Sequence, residues 1–240
     1  MTKKVKKDYK KYFLLSLIFL LAVVFVLRFA GSSLLRLYIK AGIGNCTTIP
    51  ILCMTPEDEV IRPRVNREYI GNLQLYKFPD TSAYLPMGFS VIQETIKKIN
   101  YKKDQRKGGE DVVYLLHREP NYFINIFEQV DRKEVKNNYD FIKRVMSARL
   151  DRVNNTRDTF FVIMKSIFTP YIGDQQNALM VEFAVGSRRG FINYNLSAEE
   201  GNYFDCNVIN QKDDFFKVYI KDSHASLDLE KVFSMISTLR

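Results

Sequence analysis

The chain has 240 residues, of which 46% are hydrophobic and 26% are charged, and this balance excludes the disordered and low-complexity classes. Only three cysteines are present, which excludes a disulfide-dense scaffold. The formal net charge of +9 first suggests a nucleic-acid partner, but residues 1–12 and 97–107 each carry +5, and the other 217 residues carry −1. A nucleic-acid-binding domain more often spreads Lys and Arg along one face, so this partition predicts no nucleic-acid partner.

The first basic cluster lies directly before an apolar stretch. Residues 12–30 contain a single charge, Arg28, and a helix of that length spans about 28 Å, close to the hydrocarbon core of a bilayer. The pattern predicts a transmembrane helix over residues 13–30 that contacts the lipid bilayer. The positive-inside rule then places the 1–12 tail in the cytoplasm. The lysines that carry this topology signal are Lys3, Lys4, Lys6, Lys7, Lys10 and Lys11.

Two alternatives to the anchor stay open, a cleaved signal peptide and a buried helix of a folded domain. The small residues Ala30, Gly31 and Ser32 resemble a cleavage site, but Arg28 interrupts the apolar stretch before them. An uncleaved anchor puts the rest of the chain outside the cytoplasm. The sequence therefore predicts a single-pass protein of a bacterial inner membrane with a periplasmic or extracellular C-terminal domain.

Cys46 and Cys53 lie in residues 31–71, which we interpret as a juxtamembrane segment and linker. Six residues separate the two thiols, and Pro50 between them favours a bend, so a small disulfide loop is predicted. The alternatives are two unpaired thiols and a metal or redox site. No His and no third Cys lie near them in sequence, which argues against zinc. We predict no metal and no cofactor.

Residues 72–240 show the alternation and turn chemistry of an antiparallel sheet. In one strand, apolar Cys206 alternates with polar Asp205 and Asn207, which predicts a buried, inert thiol. Residues 90–99 fit a strand or a helix, and their β-branched residues favour a strand. The other predicted strands are Val112–Arg118, Tyr122–Phe127, Thr159–Phe168, Leu179–Val185, Phe191–Leu196, Asn202–Ile209 and Phe215–Lys221.

Two helices complete the prediction. Asn137 or Asn138 caps a helix that runs through Leu150, and Ser226 caps a C-terminal helix with an apolar stripe. The predicted fold class is therefore α+β: an N-terminal transmembrane helix followed by an antiparallel β-sheet domain with flanking helices.

The order of elements resembles one known family. The segment Tyr84-Leu85-Pro86-Met87-Gly88-Phe89 is similar to the entry of PsbP-like domains, named after the extrinsic P protein of photosystem II. The resemblance is topological and covers about residues 73–240. It implies a sandwich in which a terminal helix packs on a curved sheet, and a binding or assembly role without catalysis. The Trp usual after the glycine is replaced by Phe89.

Catalytic motifs are missing from the sequence. His117 ends a predicted strand and His224 precedes the terminal helix, and we interpret both as structural; Glu182 and Asp205 have the character of common sheet-surface acids. The second basic cluster is the candidate contact for an anionic lipid or an acidic envelope polymer, the alternative being a solvated loop. Its cations are Lys97, Lys98, Lys102, Lys103, Arg106 and Lys107.

These observations predict a binding or scaffolding domain, with an envelope-complex assembly factor as its setting and a protein partner in the membrane or envelope. The alternative is a membrane-tethered hydrolase that uses surface carboxylates or His117. A pocket that joins His117 to two acids would favour the hydrolase. A sheet face filled by Phe and Ile would favour the binding domain.

Overall fold

The computed structural model describes residues 31, 33–34, 36–42, 44–77, 81–95, 98–105, 109–127, 130–169, 177–197 and 201–240. For the residues among these that fall within 90–110, it describes the path of the backbone and not the side chains. The predicted transmembrane segment 13–30 and the six topology lysines lie outside the described residues.

A seven-stranded antiparallel sheet forms the centre of the domain, and a separate two-stranded sheet lies beside it. In the large sheet the strand order is β3-β4-β5-β9-β8-β7-β6, so the last strands of the chain occupy the middle. The strands are β1 (Gln74–Lys77), β2 (Ser82–Leu85), β3 (Ser90–Thr95), β4 (Lys98–Gln105), β5 (Gly109–Arg118), β6 (Leu179–Val185), β7 (Arg188–Asn195), β8 (Asn202–Asn210) and β9 (Phe215–Asp222).

Within the described ranges, five α-helices flank this sheet, and a further helical segment covers residues 36–42. Four of the five start after a residue whose side chain accepts a hydrogen bond from the first turn: Asn66, Asn137, Asn155 and Asp228. Short 3₁₀ turns occupy Pro50–Leu52 and Leu150–Arg152. The helices are α1 (Arg67–Gly71), α2 (Tyr122–Ile126), α3 (Asn138–Ser147), α4 (Thr156–Phe168) and α5 (Leu229–Ile236).

Each face of the large sheet carries its own hydrophobic core. On one face, strand residues such as Cys206 and Val218 pack against α5 and the small sheet. On the other face, Phe191 and Phe215 pack against α2, α3 and α4. Because helices cover both faces, the polar residues of the central strands are buried as well as the apolar ones.

The predicted fold class is wrong. In the part of the chain that the structure describes, no helix combines the length and the hydropathy needed to cross a membrane. In place of an anchor followed by a PsbP-like sandwich, the described residues form a seven-stranded sheet with helices on both faces and a second, two-stranded sheet. The described residues contain both α-helices and β-strands, so the α+β part of the prediction is confirmed.

Two predicted strands are helices. Residues 159–168 belong to α4, which begins after the cap Asn155. The helix packs against two clusters of core residues, so its apolar side chains lie on several faces. The sequence therefore shows no single apolar stripe with the helical period. Residues 122–126 form α2, which follows Asn121 in a left-handed conformation with φ of 59°.

Candidate functional site

An apolar cleft of about 600 Å³ opens on the face of the sheet that packs against α2, α3 and α4. Its floor consists of side chains from β5, β8 and β9, and its walls are α2 and the end of α4. Ile126 and Ile167 line it while remaining 47% and 59% exposed, which places them at its mouth. The lining residues are Val112, Tyr114, Leu116, Arg118, Tyr122, Phe123, Ile126, Phe127, Ile167, Phe168, Asp205, Phe215, Lys217 and Tyr219.

The register of the strands places the polar residues of the cleft floor next to one another. Leu116 pairs with Lys217 between β5 and β9, and Lys217 pairs with Asn207 on β8. Two residues further along these strands, Tyr219 pairs with Asp205, which pairs in turn with Asn193 on β7. Directly paired residues of an antiparallel sheet share a face, so these polar groups form one patch under the cleft.

The first wall, α2, is fixed by the buried side chain of Asn138. Its amide oxygen accepts from the Phe123 backbone N–H at 3.2 Å, and its amide nitrogen donates to the carbonyls of Glu119 (2.9 Å) and Asp213 (2.8 Å). The Asp213 carboxylate also accepts from the Asn138 backbone N–H at 3.0 Å. One fully buried side chain therefore connects α3, α2 and the β8–β9 turn.

Aromatic rings join the two walls beneath the mouth. The ring of Phe123 on α2 lies 5.3 Å from Phe168 on α4 and 5.0 Å from Phe215 on β9, both in edge-on contacts. It also stacks on Phe141 of α3 at 4.7 Å. These contacts give the cleft a rigid apolar interior, since aromatic pairs have preferred geometries and few rotamers.

Charge at the floor is concentrated in a buried ion pair. Lys217 Nζ contacts the carboxylate of Asp205, which is 1% exposed, and donates to the carbonyl oxygen of Phe168 at the end of α4. Burial raises the pKa of Asp205, and the Lys217 ammonium opposes this rise. Asn193 also opposes the pKa rise, although its amide and the carboxylate do not meet with the geometry of a full hydrogen bond.

A second cation lies at the rim of the cleft. The Arg118 guanidinium stands 5.0 Å from the centre of the Tyr122 ring and donates to the His117 carbonyl oxygen at 2.8 Å. The described residues place no carboxylate within ion-pair distance of Arg118. The cleft thus combines an apolar interior, an ion pair at its base and a positive rim.

The two histidines lie away from this cleft. His117 projects from the opposite face of β5 to Leu116, stacks on Phe216 at 5.0 Å and contacts one carboxylate, Asp214, at 3.3 Å. His224 follows the other end of β9, about 20 Å along the strand, with its ring 3.6 Å from Asp111. Within the described ranges no three His, Cys, Asp or Glu residues converge as a metal site would require.

The predicted disulfide is confirmed, because Cys46 and Cys53 are bonded. Cys206 is fully buried in the core, as the strand pattern predicted. Burial raises the pKa of its thiol well above the usual value, which leaves it protonated and unreactive.

Lys98, Lys102 and Lys103 of the second basic cluster lie on β4. Their side chains, and the whole of Lys97, Arg106 and Lys107, are outside the described part of the chain. The anionic contact therefore stays a prediction.

Sequence reasoning missed the residues that form the cleft. Asp205 was expected among surface acids and is instead buried at the floor, where it meets Lys217, a residue that the sequence analysis did not single out. A usable signal was present in Phe215-Phe216-Lys217-Val218, where a lysine interrupts an apolar strand. A charge in such a run indicates a buried partner of opposite charge.

No described protein family matches the chain, and no curated protein matches it. Among solved structures it is similar to a protein of Bacteroides thetaiotaomicron, with 11% identity and a TM-score of 0.34 over 70% of this chain. The match covers 48% of that protein, so the chain spans about half its length. Nothing in these comparisons links the chain to PsbP-like domains.

Proposed function

We propose that this domain binds an apolar or amphipathic small molecule in the cleft between α2, α4 and the sheet. The observation that carries the proposal is the Phe-lined interior of about 600 Å³, a size within the usual range for ligand pockets. Two isoleucines at the mouth, Ile126 and Ile167, are exposed although they continue this apolar lining. A ligand that covers them would remove apolar surface from water.

Binding is favoured over hydrolysis by the position of the histidines. A hydrolase that uses His117 would need that ring in a pocket with two acids. Its ring instead stacks on Phe216, on the side of β5 away from the cleft, and meets the single carboxylate of Asp214. The Phe-rich sheet face supports the binding domain.

We place this binding domain outside the cytoplasm. The Cys46–Cys53 disulfide supports that location, because such bonds persist in oxidising compartments. A role in the assembly of an envelope complex, with a protein partner, fits this location and belongs to the same proposal.

The test is a fluorescence titration with N-phenyl-1-naphthylamine, an apolar probe whose emission rises when it leaves water. Wild-type protein should bind the probe, and Ile126→Asp and Ile167→Asp should each weaken binding about tenfold or more, because a charge at the mouth must be desolvated. Leu196→Asp is the matched control, since Leu196 is 51% exposed and lies outside the cleft. Equal binding by all four proteins, or none by the wild type, would overturn the proposal.

A further inference from the structure

The polar patch at the floor of the cleft has unused hydrogen-bonding capacity. The Asp205 carboxylate is paired with Lys217 through Oδ1, and neither of its oxygens makes a further hydrogen bond; the amide oxygen and nitrogen of Asn193 and the amide nitrogen of Asn207 also make none. Asp205 is 1% exposed, and the two asparagines are fully buried. Buried polar groups without partners are rare, since each costs about 1–3 kcal/mol.

Lys217, in contrast, has no donor left. An ammonium has three N–H groups. Those of Lys217 are directed at the Phe168 carbonyl oxygen, at Asn207 Oδ1 (3.2 Å) and at the Asp205 carboxylate. Asp205 lines the cleft and the asparagines do not. The hydrogen-bonding capacity available to a ligand in the cleft is therefore that of the acceptor Asp205.

Charge balance restricts what can meet this acceptor. The Asp205–Lys217 pair sums to zero, so a buried cationic head would bring an uncompensated charge into a low-dielectric site. An anionic head would face the Asp205 carboxylate without a free donor from Lys217. A neutral head that donates a hydrogen bond meets neither penalty.

We propose, building on the ligand cleft proposed above, that the ligand is amphipathic and carries a neutral hydrogen-bond-donating head, a hydroxyl or a primary amide, which binds Asp205. The apolar body then lies along Phe123, Phe168 and Phe215 and leaves the cleft between Ile126 and Ile167. Recognition rests on one buried acceptor, and such sites discriminate strongly against a head that cannot donate.

The opposite orientation makes a distinct prediction. A carboxylate head held at the mouth by Arg118, with its chain inside, would use the rim cation rather than the floor acceptor. Ligands of one chain length and different heads separate the two orientations, since only the floor model rejects the carboxylate.

The experiment is displacement of bound N-phenyl-1-naphthylamine by 1-decanol, decanoate and decylammonium. We expect decanol to displace the probe at a concentration at least tenfold lower than either ion. Asp205→Asn should reduce this preference to within about threefold, and Asp214→Asn, an acid outside the cleft, should leave it unchanged. Because Asp205→Asn leaves the Lys217 charge uncompensated and could unfold the domain, Asp205→Asn/Lys217→Met provides a second variant, in which the preference should also be lost.

Each outcome bears on one of the two proposals. Equal displacement by the three ligands overturns the head-group assignment and leaves the apolar cleft standing. If decanoate binds more tightly than decanol and this advantage is lost in Arg118→Gln, the head-group assignment to Asp205 is overturned and the head is recognised at the mouth instead. Failure of all three ligands and of the probe to bind overturns the proposed function itself.

Discussion

Replacement of Lys165 by Met tests whether a buried amine couples folding to pH. Lys165 lies on α4 with no exposed surface. Its Nζ donates to the carbonyl oxygens of Met54 at 2.5 Å, Met146 at 2.8 Å and Ala148 at 2.9 Å. The side chain thus ties α4 to the end of α3 and to the segment that follows the Cys46–Cys53 loop.

The expected magnitude follows from the pKa of this amine. Burial lowers the pKa of Lys165 from 10.5 to about 7. Between these values the unfolded chain binds a proton that the folded chain has released, so stability rises with pH. From pH 7 to pH 9 the wild type gains about 2 kcal/mol. At pH 9 the folded-state amine is neutral and has two N–H donors, so Met, which cannot titrate, removes two hydrogen bonds to these carbonyls and costs about 3 kcal/mol.

Urea unfolding at pH 7, 8 and 9 measures both effects. The free energies of unfolding of wild type and Lys165→Met should differ by about 1 kcal/mol at pH 7 and by about 3 kcal/mol at pH 9. Lys212→Met, at an exposed turn residue, is the control and should follow the wild type at each pH. If the free energies of unfolding of wild type and Lys165→Met change with pH in parallel, the reasoning is refuted. The three carbonyls would then keep the Lys165 amine protonated at every pH tested.

Three further predictions concern the free energy of unfolding of the domain, and each is measured by urea unfolding. Joint replacement of Cys46 and Cys53 by Ser should cost about 2 kcal/mol, since the bond closes a short loop; no change on reduction of the wild type would contradict this. Asn138→Leu should cost about 3 kcal/mol and weaken probe binding, because α2 loses its attachment, whereas the cap variant Asn137→Ala should cost about 1 kcal/mol and leave probe binding unchanged. Gly190→Ala should lower the free energy of unfolding by about 3 kcal/mol, because the added Cβ would lie 1.9 Å from a backbone oxygen of β8. An unchanged free energy of unfolding would show that the β8 backbone shifts to accommodate the methyl group.

Elements with one exposed face could be predicted from the sequence. The C-terminal helix α5 has a stripe that packs on the sheet, and α3 presents Phe141 and Val145 to the core with its other side in solvent. The hairpins β6–β7 and β8–β9 have turn residues between apolar strands. In these places periodicity reflects a real boundary between core and water.

Elements buried on several sides could not be predicted in the same way. Helix α4 presents Phe161, Val162 and Met164 to different neighbours, so its apolar run looked like a strand. Strand β8 shows the converse, because Asp205 and Asn207 alternate with apolar residues and suggested a solvated face. That face is covered by helices, and the polar residues lie in a buried patch that depends on partners from β7 and β9.

The buried polar patch beneath the cleft affects both the stability of the fold and the binding of a ligand. A buried ion pair is often less stabilising than two apolar side chains of similar volume, so Asp205 and Lys217 contribute little net free energy to folding. The Asn193 amide and the amide nitrogen of Asn207, which make no hydrogen bond, lower stability further. Such a cluster beneath an open apolar cleft is explained if the ligand supplies part of what is missing. Binding to the folded state alone then stabilises the domain, by about 2.7 kcal/mol at a ligand concentration of 100 times Kd.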